Sequence, residues 1–303
     1  KKYVNLFIDY DLLLSHDLLS SYLASVVKDR YRKPFVITWH GSDINKYPFD
    51  NKKVFKMAKR FLYEADYNFF VSKTLKKLSD TIAKTNNKTQ LYSGPSKQFY
   101  TKPLVEKNDI KSKLKIKTKY TIGFIGNLEP IKNIKSLPHI FYEINKEIKD
   151  VNFIIVGDGR LRPTLEGQIG KFKIPNVTYT GKIPPDEVPE IMNVLDILIL
   201  PSLNEGMPRV TLEAQACGVH VVGSNVGGIP EAIGGENSFP LDENFEKNIA
   251  NRTIELLTKN ITPRQLSDEF SWDKTIEKEM KVYRKILQEQ SNYYQKKPLS
   301  NNG

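Results

Sequence analysis

Glu205 and Glu213 bracket Gly206-Met207-Pro208-Arg209-Val210-Thr211-Leu212, soon after the apolar run Ile197-Leu198-Ile199-Leu200 and the loop Pro201-Ser202-Leu203-Asn204. A short apolar run of this kind reads as a buried strand, so the segment stands where a strand hands over to a helix. Proline suits the first helical position because its missing N–H would be unpaired there anyway, and the spacing predicts a helix from Pro208. Gly206 and Met207 would then offer N–H groups at a helix N-terminus, a natural place for a phosphate. Glu205 stays in the loop, and Glu213 lies roughly 7.5 Å further along the axis at about 1.5 Å per residue. Carboxylates are poor phosphate ligands and good acceptors for sugar hydroxyls. The chemistry suggested is a clamp on a sugar–diphosphate–ribose, with hydroxyls at both ends and phosphates between. The plainer alternative is a surface helix carrying two solvated glutamates.

Elements of two kinds must position this segment. From residue 10 onward, strand-like runs alternate with helix-length amphipathic stretches, which argues for a parallel sheet with covering helices. In the first portion the strands are Asp11-Leu12-Leu13-Leu14-Ser15, Pro34-Phe35-Val36-Ile37-Thr38, Asn68-Phe69-Phe70-Val71 and Thr89-Gln90-Leu91-Tyr92, with helices at 17–29, 51–65 and 73–84. Residues 106–119 are poor in large apolar side chains and rich in lysine, and read as a linker. A second series has strands at 120–125, 151–156, 177–180, 196–200 and 219–222, with helices near 133–148, 161–173, 186–193, 208–216 and 244–258. The fold class is therefore α/β, with two Rossmann-like doubly wound domains facing a cleft. The expected division is 1–105, linker 106–119, 120–270, a C-terminal helix at 271–292 and a polar tail at 293–303.

In such sheets ligands bind beyond the carboxyl ends of the strands. The strand ends of the second series carry Gly123-Phe124-Ile125-Gly126-Asn127, Gly157-Asp158-Gly159, Gly181-Lys182, the 205–213 segment and Gly227-Gly228-Ile229-Pro230-Glu231. Five such loops in register with five strands are hard to attribute to chance.

The totals exclude several classes. The chain has 303 residues, 39% hydrophobic and 27% charged, and no run of 18 apolar residues that would span a membrane. The single cysteine, Cys217, rules out an internal disulfide and fits a cytoplasmic setting, with packing its expected role. The net charge of +11 is uneven: residues 1–110 hold 20 Lys+Arg against 11 Asp+Glu, a net of +9. An anionic partner is expected there. Residues 51–65 interleave Lys52, Lys53, Lys56, Lys59 and Arg60 with Val54, Phe55, Met57, Phe61 and Leu62, a basic amphipathic helix that suits the inner face of an anionic membrane. An ordinary helix with a solvated lysine face is the competing reading. No stacking platform or recognition motif accompanies it, so nucleic acid is not expected.

The motifs together resemble retaining glycosyltransferases of family 4, which have the two-domain GT-B fold. The matching pieces are Trp39-His40-Gly41-Ser42-Asp43, Gly126-Asn127-Leu128-Glu129-Pro130-Ile131-Lys132-Asn133, Val156-Gly157-Asp158-Gly159, the 205–213 segment, Ala216-Cys217-Gly218 and Gly227-Gly228-Ile229-Pro230-Glu231. The resemblance covers about residues 10–287. It implies retaining, metal-independent transfer of a sugar from a nucleotide-diphosphate donor to a glycan or lipid-linked acceptor, with no cofactor. Carried over by position, Glu205 would hold donor sugar hydroxyls and Glu213 the ribose. The N–H groups of Gly206, Met207 and Arg209, around Pro208, would face the sugar and diphosphate beside Gly126 and Asn127. Lys132 would bind the leaving diphosphate, the backbone near Lys182-Ile183 would meet the base, and His40 would approach the donor sugar from the first domain.

Two departures stand out. Asn127 replaces an arginine common in the family, leaving Arg209 or Lys182 to supply the missing charge. The family's first glycine-rich loop and two or three further units have no counterpart ahead of Asp11, so the first domain is expected to be incomplete. His16 is a further cleft candidate, and His220, a lone histidine in an apolar strand, is expected to be structural. Asp9-Tyr10-Asp11 resembles the metal-binding Asp-x-Asp of the other glycosyltransferase fold, but no second-half motif supports that. The rival functions are a same-fold nucleotide-sugar epimerase or hydrolase, and a catalytically silent nucleotide-sugar-binding fragment.

Overall fold

The computed structural model describes residues 4–296, the side chains of 293–296 excepted. It divides into two compact units, residues 1–93 with 271–303 and residues 94–270.

In the first unit, β1 (Leu13–Ser15), β2 (Phe35–Trp39), β3 (Tyr67–Phe70) and β4 (Lys88–Gln90) pair in parallel and in sequential order. β2 is buried along its whole length, which is why it reads as an unbroken apolar run rather than an alternating one. Between the strands run α1 (Leu18–Tyr31), two single turns α2 (Ser42–Asn45) and α3 (Tyr47–Asp50), α4 (Lys52–Glu64) and α5 (Lys73–Ser79). Three helix starts are fixed by side-chain caps that accept a backbone N–H: Asp17 for α1, Asn51 for α4 and Ser72 for α5. The helix expected at 73–84 stops at Ser79, and residues 80–83 continue as hydrogen-bonded turns.

The second unit opens with α6 (Leu104–Lys113), where the sequence reads as a linker. Only Ile110 of this helix is buried, so it carries almost no amphipathic signal. Its approach is fixed elsewhere: the Asn193 side chain accepts from Lys102 N at 2.8 Å and donates to Tyr100 O at 3.0 Å. There follow β5 (Tyr120–Ile125), α7 (Leu137–Glu147), β6 (Val151–Val156), α8 (Arg162–Lys171), β7 (Val177–Gly181), α9 (Val188–Val194), β8 (Ile197–Leu200), α10 (Arg209–Ala216), β9 (His220–Ser224), α11 (Ile229–Ile233), β10 (Ser238–Phe239) and α12 (Phe245–Thr258). The six strands are all parallel, in the order β10-β9-β8-β5-β6-β7. The winding reverses between β5 and β8. One core, centred on Phe124, Phe141, Phe153, Ile155 and Ile199, fills the space between this sheet and α7, α8 and α12.

The chain ends in α13 (Trp272–Lys296), which belongs to the first unit and not to a separate segment. Ile286 is buried with Val36, Phe69 and Leu91, Tyr283 meets Phe69 edge-on, and Thr275 donates to Tyr92 O. The expected polar tail at 293–303 is helical as far as Lys296, and residues 297–303 lie outside the described residues.

Candidate functional site

β5 and β8 are hydrogen-bonded neighbours at the point where the winding of the second sheet reverses. In such sheets the carboxyl ends of the strands at the reversal are the usual ligand position. Lys132 lies on the loop after β5 and Glu205 on the loop after β8. Their Nζ and Oε1 are 2.5 Å apart, with side chains only 24% and 12% exposed. Two residues 73 positions apart thus form a half-buried ion pair through the order of the strands.

The pair is held from below. Ser202 Oγ donates to the same Glu205 oxygen at 2.7 Å, and Ser224 Oγ donates to Ser202 O at 2.5 Å. Both serines are wholly buried. Leu203 N donates to Ile131 O at 2.8 Å, tying the two loops together. On the lysine side, Pro130–Lys132 is a 3₁₀ turn closed by Asn133 in the left-handed region, φ 51°. Gly227, at φ 53°, packs so tightly on Glu205 that a Cβ there would stand 1.9 Å from Glu205 O. The Gly-Gly-Ile-Pro-Glu loop therefore acts as a backbone brace for the carboxylate.

The remaining strand-end loops are laced in the same way. Leu128 N donates to Asp158 O at 3.0 Å, Leu161 N to Leu128 O at 3.0 Å and Gly157 N to Gly181 O at 2.8 Å. A Cβ on Gly157 would lie 2.0 Å from Gly126 O, so these two loops meet backbone to backbone. Asn127 and Lys182 are exposed beside these junctions, with Gly126 and Ile183 partly covered.

Pro208 caps α10 in extended conformation, and the helix begins at Arg209, one residue later than the sequence suggests. Gly206 is buried and Met207 partly so at this helix start. Glu213 sits one turn in, 16% exposed, with Arg209 Nη2 3.9 Å from its Oε1. Burial pushes its carboxyl pKa up, and the Arg209 guanidinium opposes the shift.

In the first unit, His40 follows β2 and His16 follows β1. His16 Nδ1 and His40 Nε2 are 3.2 Å apart, a hydrogen bond whose donor depends on the tautomer. Burial lowers the pKa of His40, the neighbouring His16 lowers it further, and Asp17 opposes both. The turn beneath it is fixed by buried Asp43, which accepts from Gly41 N at 2.8 Å and His40 N at 3.3 Å.

The structure brings Lys132 to Glu205, Arg209 to Glu213 and Gly126 to Gly157. Ser202 and Ser224 are functional supports that sequence reasoning misses, since a serine at a strand end gives no sign of where its hydroxyl points. His220 is half-buried against Ile261 O at 2.8 Å, and burial pushes the Cys217 thiol up to about 12, so neither shows a reactive setting. Asp9 and Asp11 lie exposed after a single 3₁₀ turn, Val4–Phe7.

A reversing parallel sheet with a lysine–carboxylate pair at the reversal, together with a second all-parallel unit in the same chain, defines an α/β protein of two Rossmann-like units in the GT-B manner. The chain belongs to the family of glycosyl transferases group 1, whose model matches residues 105–270. It is 28% identical over 288 residues to the uncharacterized glycosyltransferase MJ1178 of Methanocaldococcus jannaschii, covering 91% of this chain and 76% of that one. It is 30% identical over 228 residues to the putative teichuronic acid biosynthesis glycosyltransferase TuaC of Bacillus subtilis, covering 74% of this chain and just over half, 55%, of TuaC. Among solved structures, Anabaena Alr3699/HepE in complex with UDP and glucose matches with a TM-score of 0.75 at 20% identity, over 86% of this chain and 71% of HepE.

Proposed function

We propose that this protein transfers a sugar, with retention of configuration and without a metal, from a nucleoside-diphosphate sugar to a glycan or lipid-linked acceptor. The observation that carries the reading is the Lys132–Glu205 pair at the winding reversal, braced by Ser202 and the Gly227 loop. The UDP and glucose held by HepE support a donor of this class.

Each residue has a task in that chemistry. Cleaving the bond between sugar and diphosphate builds positive charge on the sugar and negative charge on the leaving group. Lys132 and the N–H groups of Gly206, Met207 and Arg209 stabilise the leaving diphosphate, the kind of interaction worth about a hundredfold or more in rate. Glu205 accepts from sugar hydroxyls while keeping a carboxylate beside the developing positive charge. Glu213 accepts from ribose hydroxyls, and Arg209 supplies the cation absent at Asn127. His40 is neutral near pH 7 because its pKa is lowered. The acceptor attacks the face the diphosphate leaves, and a phosphate oxygen takes its proton.

The test is a thermal-shift screen against UDP-, GDP- and ADP-sugars, followed by proton NMR of the product. The proposal expects one donor class to stabilise the protein and the product to keep the donor's anomeric configuration in the presence of EDTA. An inverted product, or activity abolished by EDTA and restored by Mg²⁺, overturns the mechanism. Turnover without any acceptor would move the assignment to a hydrolase or epimerase.

A further inference from the structure

α4 carries an exposed basic face. At about 100° per residue, Lys52, Lys53, Lys56, Lys59, Arg60 and Tyr63 fall within roughly 120° of its circumference, opposite buried Ala58, Phe61 and Leu62. The preceding turn α3 extends the same surface with Tyr47 and Phe49, 51% and 52% exposed, and Lys46 precedes it. Tyr63 is exposed among the lysines and Met57 is exposed at the edge of their arc. Phe49 is held edge-on by Phe55 rather than waving in solvent. The sequence foreshadows a basic helix, but not this interleaving with outward-facing aromatic residues.

The lysines of this face are uncompensated, in contrast with Lys28 beside Asp66, Lys88 beside Asp80 and Lys102 beside Glu106. Lys52, Lys53, Lys56 and Lys59 form no ion pair among the described residues. Residues 46–64 hold two acids, Asp50 and Glu64, and Glu64 is engaged by Arg60 and Ser25. Lys52 and Lys56, Lys53 and Lys56, and Lys56 and Lys59 stand three or four positions apart, where like charges repel by a few tenths of a kcal/mol per pair. Such a face is disfavoured in water and relieved against a broad negative surface.

We propose that this face, from Lys46 to Tyr63, rests on an anionic phospholipid bilayer, with the lysines at the headgroups and Tyr47, Phe49, Met57 and Tyr63 entering the interfacial layer. Charge and exposed aromatic side chains on one helix are the combination an interfacial helix needs. A lipid bilayer is favoured over a nucleic acid because the apolar side chains stand among the cations. A phosphate backbone would leave Phe49 and Met57 without a partner. No helix among the described residues is long and apolar enough to cross a membrane. The inference is independent of the donor-site assignment.

The experiment is co-sedimentation of the whole protein with vesicles of phosphatidylcholine alone and of phosphatidylcholine mixed with phosphatidylglycerol. Binding is expected only to the mixed vesicles and should fall as salt is raised. Each lysine changed to Gln should weaken it about fivefold, and the set Lys52→Gln, Lys53→Gln, Lys56→Gln and Lys59→Gln on the order of several hundredfold. Phe49→Ser with Met57→Ser should weaken binding in low and high salt alike, which a purely electrostatic contact would not show. Unchanged melting temperatures establish that the variants fold. Equal binding to both vesicles, retention by the four-lysine variant, or tighter capture by double-stranded DNA than by the vesicles overturns the proposal. Donor-induced thermal shifts should survive every one of these substitutions, so failure here leaves the transferase reading standing.

Discussion

Two groups of cations, one in each unit, are held in opposite ways. In the second, Lys132 and Arg209 each stand beside a carboxylate, and the Lys132–Glu205 pair is half-buried on backbone that glycine and serine fix in place. In the first, Lys52, Lys53, Lys56 and Lys59 line an exposed helix without a partner among the described residues. A caged cation can be handed to a small anion of matching shape, and its strength depends on geometry. A row of solvated cations has no geometry to lose and responds to the sum of the charges facing it. Functions of the second unit should therefore be sensitive to single atoms and tolerant of salt. Those of the α4 face should be the reverse, since exposed charges are screened beyond roughly 10 Å at 0.1 M ionic strength.

The largest expected effect tests the caged side. Lys132→Ala should lower transfer by about 10²–10³-fold, because a positioned donor to the leaving diphosphate is lost. Affinity for a nucleoside monophosphate, which lacks the second phosphate, should change little. Steady-state rates and calorimetry separate these outcomes, and equal losses in both would remove Lys132 from the diphosphate. The effect should be nearly the same in low and high salt, in contrast with vesicle binding.

Glu213 sharpens the same point through stability. Burial raises its folded pKa, so the folded chain binds this proton more tightly than the unfolded one. The stability gained from that proton is present at low pH and lost as pH rises through the folded pKa. Glu213→Gln removes the cost of the buried charge, and Tm at pH 7 should rise by about 2–4 °C, the scale of roughly 1 kcal/mol in a chain this large. Nucleotide affinity should fall by about tenfold, the size of one lost charged hydrogen bond. A lower Tm with unchanged nucleotide binding would make Glu213 a structural partner of Arg209 and nothing more.

The two sides were unequally legible in the sequence. The second sheet announces itself because parallel strands buried on both faces read as unbroken apolar runs. Its strand-end glycines, such as Gly157 and Gly227, mark positions where a Cβ would collide with another loop's carbonyl. The meeting of Lys132 with Glu205 depends on the order of strands β5 and β8, which periodicity does not encode. The support from Ser202 and Ser224 depends on where two hydroxyls point after folding. α6 escapes detection because Ile110 is its only buried residue and it carries no apolar stripe. On the first unit, the basic run at 51–65 is visible, but its exposed aromatic residues are not, since the same Phe and Tyr could as well face the sheet.

Ser202→Ala probes whether the cage matters beyond its two charged members. The Lys132–Glu205 pair would remain while Glu205 loses the hydroxyl that fixes its oxygen, and buried Ser224 still donates to the backbone beneath. A loss of about tenfold or more in kcat with little change in KM is expected, since one hydrogen bond to a charged group contributes about 1.5–3 kcal/mol. Ser202→Thr, which keeps the hydroxyl, should recover most of it. An Ala variant as active as the parent would show that the ion pair positions itself.

The smallest effect asks whether the first unit also holds a geometry-dependent site, which would blur the contrast. His40 owes its lowered pKa first to burial and second to His16, 3.2 Å away. His16→Ala should therefore raise the His40 pKa part of the way toward its ordinary value near 6.5, leaving burial to hold it below. Because protonation is disfavoured in the folded state, stability should decline as pH falls below about 6.5, and the variant should decline less. Imidazole shifts followed by NMR across pH 5–8 read this directly, and transfer near pH 6 should fall in the variant as more His40 becomes charged. A His40 titration unmoved by the substitution would mean that the two rings merely lie side by side. The first unit would then act through its surface charge and the second through its bonds.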